Sequence, residues 1–239
     1  MDKPITGKGI IGILAGMGPR STAPFINLVI DECQRQYGAK EDIDFPKIMI
    51  YSLPTPFYAH LPVDHAAMTK TLCEGLKTLE SSGVFFAAIA CNTAHVYYPE
   101  LAQSIKIPLL NIVELTLNKL KNDNQRVAVL ASRSTIESNI YQQGIFQCGY
   151  EFVEINWQSK VDQLIESLKT PQEDPFFFQK AWAQLLFLAN DADVDTIIIA
   201  CLDLSVIKTY IASKDLHIID SSDCLAQAIV KQWLKHAIS

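Results

Sequence analysis

No apolar run in this 239-residue chain reaches the roughly 18 residues that a bilayer-spanning helix requires, so no membrane association is expected. No block of basic residues stands out either. Twenty Lys and Arg face 26 Asp and Glu, for a formal charge of −6, and the scattered acids argue against a nucleic-acid surface. The six cysteines include no Cys-x-x-Cys and no zinc-like spacing. No secretory leader is expected either. Lys3 and Lys8 precede an apolar run at 9–18, but glycines break it and Pro19-Arg20 follows where small residues would mark cleavage. Thiols in a reducing cytoplasm are therefore expected. Low-complexity segments and a Gly/Ser-rich linker are absent too. What remains, 49% hydrophobic and 19% charged, has the composition of a soluble globular enzyme. The length allows one large α/β domain or two small ones.

Short, charge-free apolar runs are what the chain does have. Residues 10–15, 84–90, 126–131 and 196–200 read as strands buried on both faces of a parallel sheet. Further strands are predicted at 47–52, 107–111, 151–155 and 216–220. Helical periodicity covers 22–36, 64–81, 99–104, 136–147, 160–168, 176–189 and 222–236. Strands alternating with helices predict mostly parallel sheets with right-handed crossovers.

Three landmarks recur in order. Ile10–Ala15 and its turn are echoed by Arg126–Ala131 and Ser132-Arg133-Ser134-Thr135. The Ile-Ala-Cys that ends at Cys91 returns at Cys201. Asn111 is matched by Asp220. The offsets from Leu14 to Leu130, Cys91 to Cys201 and Asn111 to Asp220 are 116, 110 and 109. Generic strand-then-turn alternation explains repeated strands but not the repeated Ile-Ala-Cys. The repeat predicts two similar lobes, residues 1–112 with 214–239 and residues 113–213, the last strand and helix packing back on the first lobe.

Ligands of parallel sheets bind beyond the carboxyl ends of the strands, so each half delivers one thiol to such a place. Two thiols across a substrate suggest an acid and a base, and hence proton transfer at carbon. A thiol at the start of a helix meets unpaired N–H groups that favour thiolate. Asn92 and Thr93 are suited to capping that helix or to donating to an anionic ligand. The competing reading of each cysteine is a small buried hydrophobe, and Cys33, Cys73, Cys148 and Cys224 are read that way. His95, one turn past Cys91, reads as a packed histidine, and none of the five histidines has metal-ligand spacing. After Cys201, Asp203 is suited either to orienting groups or to capping. Gly16-Met17-Gly18-Pro19-Arg20-Ser21 approaches a dinucleotide fingerprint. The next strand, however, ends in Ser52-Leu53-Pro54, where an acidic residue should hold the ribose. A tight turn offering Met17 and Gly18 to a small carboxylate is the better reading.

Gly12–Pro19, Cys91-Asn92-Thr93-Ala94-His95, Leu130–Glu137 and Cys201 resemble the cofactor-independent aspartate/glutamate racemase family, most closely its aspartate racemase branch. The resemblance spans nearly the whole chain. It implies two Rossmann-like α/β lobes related by a pseudo-twofold axis, with the active site in the cleft between them. It further implies racemisation of an acidic amino acid, aspartate or glutamate, by a two-base mechanism without pyridoxal phosphate or other cofactor, in a cytoplasmic homodimer. Carried over by position, Cys91 and Cys201 become the catalytic thiols. Asn92, Thr93, Ser132 and Thr135 match residues serving the substrate α-carboxylate, and Lys169 matches a lysine near the side-chain carboxylate. Two departures stand out. Leu202-Asp203 replaces the family's usual Thr-Glu, and residues 52–58 lack the arginine often found there. They leave open a related cysteine-dependent reaction on hydantoins, maleate or arylmalonates, or a catalytically silent binder of an acidic metabolite.

Overall fold

The computed structural model describes residues 9–58, 61–120, 125–168, 175–205 and 216–237. Lys169 lies outside the described residues. Contacts divide the chain into two units, Met1–Asn111 with Leu225–Ser239, and Ile112–Cys224. Each is built on a four-stranded parallel sheet, as the alternating pattern predicts.

The first unit runs β1 (Ile10–Ala15), α1 (Thr22–Tyr37), β2 (Lys47–Ser52), α2 (His65–Ser81), β3 (Val84–Ile89), α3 (Tyr98–Gln103) and β4 (Leu109–Leu110), with strand order β2-β1-β3-β4. Leu14, Ala87 and Ile89 pack beneath Met68, Leu72, Leu76 and Leu79 of α2 and Leu101 of α3. The α2 face comes so close that a Cβ on Gly75 would stand 2.8 Å from Leu53 and 3.0 Å from Leu14. Aromatic contacts of Tyr37 with Trp233 and of Phe85 with His236 tie α1 and β3 to the final helix.

The second unit runs α4 (Ile112–Leu117), β5 (Arg126–Ala131), α5 (Arg133–Glu137), α6 (Ile140–Gln147), β6 (Glu151–Phe152), α7 (Gln158–Leu168), α8 (Pro175–Asp191), β7 (Thr196–Ala200) and β8 (His217–Asp220), with order β6-β5-β7-β8. Strict alternation divides its core. Ala128, Leu130, Ile197 and Ile199 face Val161, Leu164, Trp182 and Leu185, whereas Val127, Val129, Ile198 and Ala200 face Leu117, Tyr141 and Ile145. Period-2 side-chain direction in a two-sided sheet requires both faces to be apolar, and hence the unbroken isoleucine run.

Several bounds differ from the sequence reading. The last strand pairs with β7, so residues 216–224 stay with the second unit, and the return to the first comes at Leu225 within α9 (Ser221–Ala237). The strand expected at 151–155 ends at Phe152, because the chain turns at Ile155, whose carbonyl accepts from Trp157. The helix expected at 136–147 is two helices, since Asn139 takes a left-handed conformation (φ 59°) between them. Cys148 is exposed rather than packed.

Candidate active site

In the first unit β1 ends at Ala15 and the chain reverses through Gly16, whose φ is +94°. A Cβ there would stand 2.6 Å from the backbone nitrogen of Leu53 and 2.9 Å from its carbonyl oxygen. Only glycine combines that φ with that closeness. The Gly16 N–H donates to Thr22 Oγ1 at 3.2 Å, and Ser21 Oγ donates to the Gly18 carbonyl at 2.9 Å. The turn holding Met17 and Gly18 is thus pinned to the start of α1.

Cys91 stands two residues past Ile89, the last residue of β3. The segment after it is a 3-10 helix over Thr93–Tyr97, not an α-helix beginning at the thiol. Pro99, early in α3, supplies the reason. It has no N–H to give the His95 carbonyl, so an α-helical register cannot run through this turn. Asn92 precedes the 3-10 helix without a side-chain capping bond, so capping is not its role. It is 3% exposed, Cys91 is half-buried at the edge of the α2 core, and Thr93 is half-buried.

His95 locks this turn. It is 4% exposed and stacks on Tyr98, ring centroids 5.8 Å apart and planes 10° apart. Its Nδ1 lies 2.8 Å from the Cys91 carbonyl oxygen, and its Nε2 lies 3.4 Å from that of Leu110. Burial lowers its pKa to about 4, against the raising effect of those two carbonyls. The ring is therefore neutral at pH 7. Length assigns its one proton to Nδ1, which donates to Cys91. His95 is the packed histidine expected, and it fixes the backbone that carries the thiol.

In the second unit Cys201 follows Ala200, the last residue of β7, and a 3-10 turn again follows at 202–205. Register makes the two sites equivalent. Leu14 pairs with Ile89 and Leu130 with Ile199, so each cysteine stands two residues beyond the partner of the matched leucine. Leu110 pairs with Ala88 and Ile219 with Ile198, which aligns Asn111 with Asp220. The residue four past the cysteine again ties the turn to the last strand. Ser205 Oγ is 2.9 Å from Asp220 Oδ1 and 2.7 Å from Ser222 Oγ, and the Ser222 N–H donates to Asp220 Oδ1 at 2.8 Å. Leu202 occupies the place of Asn92 and is buried likewise.

Ser132 begins the segment after β5. Its Oγ lies 3.0 Å from Thr135 Oγ1, and its carbonyl accepts from the Thr135 and Ile136 N–H groups. Ser132 is half-buried and Thr135 is 1% exposed. Beside them is a group the sequence reading did not find. Gln158 Nε2 donates to the Ala131 carbonyl and to Asp162 Oδ1, and Asp162 pairs with Arg133. The i,i+4 spacing of Gln158 and Asp162 on α7 was its one signal.

Burial pushes the Cys224 thiol up to about 11, opposed by Lys119 and helped by Asp220, and burial also raises Cys33. Among the described residues no group of three or more His, Cys, Asp or Glu is placed to hold a metal ion, and no helix is long and apolar enough to cross a membrane.

A family model described as Asp/Glu/Hydantoin racemase matches residues 14–229. The chain is 46% identical to the broad specificity amino-acid racemase RacX of Bacillus subtilis over 228 residues, covering 95% of this chain and 99% of that one. Among solved structures it is similar to Picrophilus torridus aspartate racemase, with TM-score 0.73, 27% identity and 94% of each chain covered. It also shares the fold of an aspartate racemase homologue from Pyrococcus horikoshii, with TM-score 0.75, 20% identity, and 94% and 99% of the two chains covered.

Proposed function

The chain belongs to the Asp/Glu/hydantoin racemase family, and from that premise we propose that it racemises an acidic amino acid, aspartate or glutamate, using Cys91 and Cys201 as its two proton-transferring groups. That it is an amino-acid racemase follows from the family and from the near full-length similarity to such an enzyme. The observation carrying the two-thiol reading is the register equivalence of the cysteines, each two residues past its matched strand pair.

In this reading the two sulfurs act on opposite faces of one Cα. One thiolate takes the α-proton, and the opposite thiol gives a proton to the other face. The sulfurs exchange protonation states, so the reverse reaction starts from the product pair. The carbanion formed between the steps carries its charge into the α-carboxylate, which fixed donors must stabilise in a dry site. Asn92, Thr93 and Ser132, with the turn at Met17 and Gly18, are the donors and walls proposed for it. Thr135, buried behind Ser132 and hydrogen-bonded to its hydroxyl, serves as a positioning residue. Lys169 is kept as the candidate for the distal carboxylate. The protein is proposed to work as a cytoplasmic homodimer.

A second reading, a wider substrate range, is favoured by two observations. Residues 52–58 contain no arginine but present exposed Phe57 and Tyr58, and Arg133 is already paired with Asp162. Incubation with each enantiomer of aspartate, glutamate and a panel of neutral and basic amino acids in deuterated water decides. Loss of the Cα proton signal together with the opposite enantiomer is expected for aspartate or glutamate. Turnover of neutral or basic amino acids as well would establish the wider range, and turnover confined to them would overturn the first reading. Ligand-induced thermal stabilisation without deuterium uptake by any of them would refute racemisation.

A further inference from the structure

We infer that β2 is the strand through which two copies of this chain pair, edge to edge about a twofold axis. The inference rests on the homodimer reading and adds to it the surface.

β2 is the terminal strand of its sheet, and among the described residues nothing pairs with its outer side. At its centre Met49 is 36% exposed and Ile50 is 43% exposed. Successive strand residues point to opposite faces, so the strand is open on both faces as well as along its edge. An edge strand normally carries devices that prevent pairing: shortness, charge, proline or a bulge. β2 has six residues in unbroken register with β1 from Ile10–Lys47 to Ala15–Ser52. From Phe45 to Tyr58 the only charged residue is Lys47.

The equivalent edge of the second unit provides the control within the same molecule. β6 has two residues, and the following segment bends away. Glu151 is exposed and engages Arg126 at 3.1 Å, and Glu154 is exposed three residues on. Two copies of β6 in antiparallel alignment would pair over only two residues, one of them the charged Glu151. Two copies of β2 aligned in the same way set Met49 against Ile50, Ile48 against Tyr51 and Lys47 against Ser52, with no like charges opposed. The occupant this pattern fits is a second β2. A chain carrying −6 repels its own copy, so copies must meet where charge is absent. Strand pairing alone is smaller than a stable interface. The exposed Ile43, Phe57 and Tyr58 flanking β2 supply further apolar surface.

Sedimentation velocity over a concentration series tests this with the full chain, comparing wild type, Met49→Lys, Ile50→Lys, and Phe146→Lys and Phe187→Lys as controls at exposed aromatics of the second unit. The expected result is a wild-type dimer, dimerisation weakened at least about 30-fold by either β2 variant, and dimers for both controls. A dimer that survives both β2 substitutions would overturn the surface while leaving the homodimer intact. A wild type monomeric throughout would overturn both, and would leave the edge to a different strand. Hydrogen exchange of wild type needs no variant to fold. Amides of residues 47–52 should gain protection as concentration rises, and unchanged exchange in a proven dimer refutes the pairing.

Discussion

The C-terminal edges of the two sheets are built on one plan and furnished differently. Both place a thiol two residues past the matched strand pair. Both follow it with a 3-10 turn, and both tie that turn to the last strand through the residue four positions on. In the first unit the tie is a buried neutral imidazole reaching backbone carbonyls of Cys91 and Leu110. In the second it is a serine hydroxyl reaching the carboxylate of Asp220. Asn92 corresponds in position to Leu202, and Gly16 to Ser132. The feature kept in both units is the sulfur, and everything that would tune it has diverged. The proposed two-base reading matches that combination, because a substrate has two unlike faces at Cα and would meet a thiol in different surroundings on each.

The largest effect expected from breaking the comparison is at the thiols themselves. Cys91→Ser and Cys201→Ser should each lower racemisation by about 10²–10⁴-fold, the usual worth of a positioned general acid or base. Each variant should still exchange the α-proton of one enantiomer, and the two variants should favour opposite enantiomers. Deuterium uptake followed separately for the D and L substrates measures this. Wild-type turnover in either variant, or the same surviving enantiomer in both, would remove the two-base assignment.

A smaller effect separates Gly16 from Ser132, which occupy the same place after β1 and β5. Gly16→Ala puts a methyl group against the Leu53 backbone at a φ of +94°, and should cost about 4 kcal/mol, as left-handed strain and overpacking combine. Ser132→Ala keeps an ordinary backbone and loses one hydroxyl contact to Thr135, which is worth about 1 kcal/mol. Urea unfolding of the two variants checks the difference, and near-equal losses would contradict the crowded geometry at Gly16.

Most of this plan was legible in the chain because its signals are local and periodic. The isoleucine runs, the recurrence of Ile-Ala-Cys and the alternation of strands with helices lead directly to two four-stranded parallel sheets. The matched landmarks Leu14 with Leu130, Cys91 with Cys201 and Asn111 with Asp220 coincide with the observed register. What was not legible depends on contacts between distant segments. The pairing of β8 with β7 moves residues 216–224 to the second unit, and no local pattern announces which sheet a four-residue strand will join. The 3-10 turn after Cys91 was read as the start of a helix, although Pro99 has no N–H with which to continue an α-helical register from His95. The Arg133, Asp162 and Gln158 group joins residues from α5 and α7, and nothing in their separate segments predicts that both reach the end of β5.

The finest distinction between the two ties is their response to acid. A histidine whose pKa is lowered to about 4 in the folded protein, against about 6.5 when unfolded, binds fewer protons folded than unfolded between those values. Folding stability therefore rises with pH across that interval. The contribution of His95 is fully present above pH 6.5 and is lost as pH falls toward 4, for roughly 3 kcal/mol in all. The Ser205 hydroxyl itself takes up no proton in that interval. His95→Gln should lower stability at pH 7 but flatten the decline from pH 6.5 to 4. Chemical denaturation repeated across this pH range reads both. A decline unaltered by His95→Gln would mean that other groups set the acid limb, and that the imidazole reaches the folded interior at no protonation cost.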